Sequence, residues 1–80
     1  MIKVEFSIYP FVEGEVPPSH VQAAIEALTK AGLKVDVGPL SSSVAGESEP
    51  VLEALRHAQL AAISAGAQKF VVMIESIGTP

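Results

Sequence analysis

The first stretch of the chain sorts its residues into two alternating sets. Ile2, Val4, Phe6 and Ile8 are interleaved with Lys3, Glu5, Ser7 and Tyr9. Successive side chains of an extended strand point to opposite faces, so the pattern predicts a strand over 2–9 with one face buried. Pro10 stops it, and FVEGEVPP (11–18) reads as a connecting loop. The period then changes. In SHVQAAIEALTKAG (19–32), Val21, Ala24, Ile25 and Leu28 fall on one helical stripe. Pro17 and Pro18 suit the helix entry, Ser19 is the expected cap, and Gly32 the expected residue just past the end. LKVDVG (33–38) alternates again, Leu33, Val35 and Val37 against Lys34 and Asp36. Gly38-Pro39 bends the chain, and SSSVAGE (41–47) returns as a third strand. SEPVLEALRHAQLAAISAG (48–66) predicts a second helix with Pro50 in its first turn and Gly66 at its end. Leu52, Leu55, Gln59, Ala62 and Ile63 run along one side. KFVVMIESI (69–77) reads as the fourth strand, with Phe70, Val72 and Ile74 on one face and Val71 and Met73 on the other.

The order is βαββαβ. Short connections and right-handed crossovers fold it most simply as an α+β ferredoxin-like sandwich, a four-stranded antiparallel sheet in the order 4-1-3-2 with both helices on one face. Residues 1–80 are expected to form one domain. The other face of the sheet lacks cover. Because strand 4 is apolar on both sides, the expectation is a homo-oligomer, dimer or tetramer, assembled through that open face.

Composition narrows the partners. The chain carries nine acidic and five basic residues, a net charge of −4. The basic residues are scattered at 3, 30, 34, 56 and 69, with no basic patch of the kind nucleic acid requires. The fold order is shared with RNA-recognition domains, but those need aromatics on strands 1 and 3, and strand 3 has none. No apolar run approaches the ~20 residues of a membrane-spanning helix. The first ten residues alternate where a secretory signal would be continuously apolar. The expectation is a cytoplasmic protein. Cysteine is absent, which excludes a disulfide framework and a thiolate zinc site within these residues.

The segment SSSVAG (41–46) places small side chains in what should be a central strand. In the expected topology the start of strand 3 lies beside the end of strand 1. Alternation puts Ser41, Ser43 and Ala45 on the open face with Ser7 and Tyr9, and Ser42 on the helix side with Val44 and Gly46. Small residues leave room, hydroxyls donate or accept, and Tyr9 adds an aromatic wall with a polar tip. A concave place with a few convergent polar groups is the usual form of a small-ligand site. Close packing of a partner subunit is the competing explanation.

Other chemistry is weaker. His20 and His57 lie on different helices without metal-ligand spacing, and both read as exposed helix histidines. Ser41–Ser43 lack the strained G-x-S-x-G elbow of a serine nucleophile. The expectation is a protein that is not an enzyme, with no cofactor and no metal. Glu13 and Glu15 read as solvated, and loop 10–18 as a connection rather than a lid. Glu47 and Glu49 suit the start of helix 2 through its dipole.

VEFSIYP (4–10), KAGLKVDVGPLSSSVAGE (30–47) and VLEALRHAQLAAISAGAQKFVVMIES (51–76) together resemble the thiamine-binding protein family. Its members are small ferredoxin-like proteins, formerly a domain of unknown function. The most specific parts are SIYP (7–10) and VGPLSSSVAGE (37–47). The resemblance implies non-catalytic binding of thiamine or its hydroxymethylpyrimidine moiety, in thiamine salvage or transport. It implies Ser7, Tyr9, Ser41, Ser42 and Ser43 as the ligand-binding residues. Family members mostly carry Glu where Ala45 stands, an Arg near Lys69, and sometimes His-Glu at Gln59-Leu60. The alternative is a metabolite-sensing or structural oligomerisation module of the regulatory ferredoxin-like type.

Overall fold

The computed structural model describes residues 1–11, 17–38 and 41–78. Loop residues 12–16, including Glu13, Gly14 and Glu15, and Pro39-Leu40 lie outside them. The elements are β1 (Ile2–Tyr9), α1 (Ser19–Lys30), β2 (Asp36–Val37), β3 (Ser42–Gly46), α2 (Ser48–Ser64) and β4 (Lys69–Ser76). They form one antiparallel sheet in the order β2-β3-β1-β4 with both helices on one face, the ferredoxin-like arrangement.

β1 is the axis of the core. Ile2, Val4, Phe6 and Ile8 are all buried against the helix layer, while Lys3, Glu5, Ser7 and Tyr9 look out of the opposite face. Phe6 is almost fully enclosed and stacks on Phe70 of β4 with ring centres 5.5 Å apart. Val44 of β3 completes the sheet's contribution to the core.

The helices meet this sheet through small residues. Ala24 and Leu28 of α1, and Val51, Ala54, Leu55, Ala58 and Ala62 of α2, are buried. Four of these are alanines, so the helices approach one another and the sheet closely. The inward face of α2 therefore departs from the predicted one. Leu55 and Ala62 point inward as expected, Gln59 is partly covered, and Leu52 and Ile63 are exposed. The stripe that packs is 51, 54, 55, 58 and 62, one continuous helical row rotated away from the larger side chains.

Both helices end in the same way. Gly32 and Gly66 have φ of 86° and 105°. In each case the amide after the glycine reaches back to a carbonyl in the last turn, Leu33 to Leu28 at 3.2 Å and Ala67 to Ala62 at 2.9 Å. This is the Schellman closure, which favours glycine because of the left-handed backbone. At the start of α1 the cap position is Pro18, not Ser19, which is the first helical residue. The Pro18 carbonyl accepts the amides of Val21 and Gln22.

His20 also departs from expectation. It is buried, and its Nε2–H donates to the Pro10 carbonyl oxygen at 2.6 Å, tying the start of α1 to the end of β1. His57 is exposed and donates to Glu53 at 3.1 Å. The hydrogen bond and charge of Arg56, with a smaller contribution from His57, hold the Glu53 carboxyl below its usual pKa. What this pair adds to stability is present above the ordinary carboxylate pKa and fades as pH falls through the lowered value. On so exposed a group it is minor.

Because Phe6 joins the central strand to the edge strand and the helix layer, Phe6→Ala should cost about 3–5 kcal/mol. That is a large share of the ~5–15 kcal/mol that holds a small domain folded. Urea unfolding followed by circular dichroism checks this; a midpoint unchanged from wild type would contradict it.

Candidate functional site

The open face of the sheet is laid out in rows by the strand register. Asp36, Ser43, Glu5 and Met73 lie side by side across β2, β3, β1 and β4. Ala45, Lys3 and Glu75 make the next row, and Ser7 lies beside Val71 on the other side of Glu5. The helix face alternates with these rows, so Ser42 lies beside Phe6 and Val37, buried on the helix side.

A shallow depression of about 280 Å³ opens where β1, β3 and β2 meet, lined by Lys3, Glu5, Asp36, Val37, Gly38 and Ser41–Ser43. Its floor is low because Ser43 is small. Its polar groups are organised by one contact: the Ser41 hydroxyl donates to the Glu5 carboxylate at 3.1 Å. That bond is partly buried and joins the central strand to the hairpin between β2 and β3.

The hairpin's own geometry depends on Gly38. Its N–H donates to the Ser41 carbonyl at 2.9 Å. A Cβ at position 38 would sit 2.8 Å from that carbonyl oxygen, so any side chain there would push the turn open and displace Ser41.

The structure brings together Ser41, Ser42 and Ser43 of the expected site, Ser42 with its side chain on the helix side. Ser7 and Tyr9 share the open face but do not line the depression. At a rise of ~3.3 Å per residue, Tyr9 lies roughly 13 Å along β1 from Glu5. There its ring packs on Phe11, centre to centre 4.8 Å, and the Lys69 ammonium lies 5.7 Å from its centre. Tyr9 thus belongs to a second patch at the β4 end of the face. Phe70, the aromatic of β4, is committed to Phe6 on the helix side. Of the three departures from the family pattern, Ala45 and Lys69 fall on the open face, while Gln59 is on α2 beyond the sheet.

Glu5, Lys3 and Asp36 were not anticipated as site residues. The signal was present for the first two: the alternation that puts Ser7 on the open face puts Lys3 and Glu5 there as well. Asp36 comes in only through the hairpin register. Among the described residues there is no cluster of three or more His, Cys, Asp or Glu able to hold a metal ion. No described helix is long and apolar enough to cross a membrane.

The model of the thiamine-binding protein family matches residues 4–77. Solved structures with the same fold include a domain of unknown function from Bacillus cereus, 28% identical over 92% of this chain and 71% of that one, TM-score 0.67. A Thermotoga maritima protein assigned provisionally to thiamine biosynthesis or salvage is 26% identical over 95% and 83%, TM-score 0.69. A hypothetical protein from Methanocaldococcus jannascii is 23% identical over 99% and 80%, TM-score 0.71, a likeness of fold. No curated protein matches the chain significantly.

The Ser41–Glu5 bond gives a direct test of the depression's architecture. Ser41→Ala should cost about 1 kcal/mol of stability, below the ~1.5–3 kcal/mol of a buried hydrogen bond to a charged group because the site is only partly buried. Gly38→Ala should cost more, since it displaces backbone rather than removing one hydroxyl. Paired chemical denaturation curves measure both; equal stability of wild type and Gly38→Ala would show that the turn is not closed as described.

Proposed function

This chain belongs to the thiamine-binding protein family, and on that premise we propose that it binds thiamine, or the hydroxymethylpyrimidine half of it, on the open face of its sheet without transforming it. The observation that carries the proposal is the Glu5–Ser41 pair set beside Ser43 and Asp36 in one depression. An aminopyrimidine presents a donor amine and acceptor ring nitrogens. A carboxylate takes the first, and serine hydroxyls serve either. Thiamine adds a cationic thiazolium, which the two carboxylates favour electrostatically. The Tyr9–Phe11 patch along the face offers a cation an aromatic surface. A volume of about 280 Å³ lies near the lower bound of ligand pockets, and suits one heterocycle better than a large cofactor.

Binding without turnover is supported by the layering. His20 and His57 belong to the helices, across the sheet from Ser41 and Ser43, and His20 is already engaged with Pro10. Neither is placed to act as base for those hydroxyls. The provisional assignment of the Thermotoga relative to thiamine biosynthesis or salvage supports a role in salvage; transport as the other role, and the cytoplasm as the place, are part of the proposal. The proposal includes assembly into a dimer or tetramer through the open face, where Val71 and Met73 leave apolar surface exposed.

Thiamine or hydroxymethylpyrimidine should raise the melting temperature by mass action, and mass analysis after incubation should return the ligand unchanged. Recovery of a cleaved or phosphorylated product would make the protein an enzyme. A response to amino acids instead would favour a regulatory module.

Calorimetry separates the contributing groups. Ser43→Ala should weaken binding by roughly 0.5–1.5 kcal/mol, and Ser43→Leu should fill the depression and abolish binding with the fold retained. Glu5→Gln should weaken thiamine, a cation, more than the neutral hydroxymethylpyrimidine. A folded Ser43→Leu variant with wild-type affinity would place the ligand elsewhere.

A further inference from the structure

The depression offers a ligand more acceptors than donors. Asp36, Ser43 and Glu5 lie side by side across β2, β3 and β1. The backbones carrying the two carboxylates therefore stand two strand spacings apart, ~9.6 Å, with one small hydroxyl between them. An ionised carboxylate only accepts hydrogen bonds, whereas a serine hydroxyl donates or accepts. Lys3 is the one cation among the described residues lining the depression. It belongs to the next row, opposite Ala45 on β3 and Glu75 on β4. Among the described residues the ion pairs are those of Glu53 with Arg56 and His57, so neither Glu5 nor Asp36 is neutralised by a neighbour.

The contact with Ser41 fixes what Glu5 can do. The hydroxyl donates its single proton to Oε2 at 3.1 Å. Ser41 is held in turn by the hairpin, where the Gly38 N–H donates to the Ser41 carbonyl oxygen at 2.9 Å. Glu5 is thus steadied through one oxygen, and the other, Oε1, is left to accept from a ligand. Ser41 has no second proton to offer an acceptor on that ligand.

We propose, on the ligand assignment made above, that Glu5 sets the ring specificity of this site: it selects a pyrimidine that turns an exocyclic amine toward β1 and refuses one that turns an oxo group there. Ser41 is the positioning residue. Exchanging amine for oxo replaces two N–H donors by an acceptor at the atom facing Glu5, and moves the ring's one N–H to the neighbouring atom. Oxygen then faces oxygen with no proton between them. A site built to hydrogen-bond an N–H refuses the ligand that lacks it because its own polar group is left unpaired. The depression is only partly buried, so the ratio is expected at about ten- to a hundredfold, below the ~10⁴–10⁵ of an enclosed site. Gln at position 5 keeps the shape but removes the rule, since its amide can turn either oxygen or N–H to the ring.

Calorimetry with thiamine and its 4-oxo analogue, repeated with hydroxymethylpyrimidine and its oxo counterpart, tests this. In the wild type the amino form of each pair should bind at least about tenfold more tightly. In Glu5→Gln the ratio should fall to within about threefold, because the amino form weakens and the oxo form does not. Ser41→Ala should lower the ratio part of the way, and Ser41→Thr, which keeps the hydroxyl, should restore it. A purely structural loss would weaken both rings alike and leave the ratio unmoved. Equal binding of the two rings by the wild type, a preference for the oxo ring such as recognition by Lys3 would give, or an equal fall of both in Glu5→Gln would overturn the role of Glu5 and leave the ligand assignment standing. Absence of binding by all four compounds would overturn both.

Discussion

Two helices can cover only one side of a four-stranded sheet, and everything distinctive about this protein depends on how β1 meets that constraint. As a central strand it has neighbours on both edges, so its only freedom is which side chains go to which face. Ile2, Val4, Phe6 and Ile8 go to the helices and are buried; Lys3, Glu5, Ser7 and Tyr9 go to the other side. A one-residue slip would exchange the two sets. The core and the candidate site are thus two readings of the same alternation, and the register that secures one positions the other.

On the open face the decisive local feature is the hairpin that brings β3 against β1. Gly38 allows the turn to close onto the Ser41 carbonyl, and Ser41 in turn donates to Glu5. Small residues on β3 keep the space above this pair open. The polar groups gather on the β2–β3 side, while exposed apolar surface collects on β4 at the opposite margin. The sheet therefore has a polar half around Glu5 and Ser41 and an apolar margin along β4.

The strand order, the two helices and the open face were legible in the sequence because period two and period 3.6 are strong signals in long amphipathic segments. The inward face of α2 was less legible. Weighting by size pointed to Leu52 and Ile63, whereas the close packing uses Val51, Ala54 and Ala58 beside the expected Leu55 and Ala62. The burial of His20 depends on a carbonyl ten residues earlier, which no local pattern encodes. β2 shrinks to Asp36–Val37, paired with Ser43 and Ser42, and residues 33–35 of the predicted strand lie outside the ladder although β3 continues to Gly46. At the site, Ser41 and Ser43 stood out by being small. Glu5 did not, because a charged residue on an open strand face looks merely solvated until the hairpin places a hydroxyl on it. Tyr9 was grouped with the serines by face alone; distance along the strand separates them.

We propose that ligand recognition occupies the open face around Glu5, Ser41 and Ser43. Backbone amide NMR during a thiamine titration addresses it residue by residue. The largest shifts are expected at Glu5, Asp36, Gly38, Ser41 and Ser43, with the amides of α1 and α2 little affected. Shifts centred on the helix layer, around His20 or His57, or no saturable shifts with either thiamine or hydroxymethylpyrimidine, would contradict it.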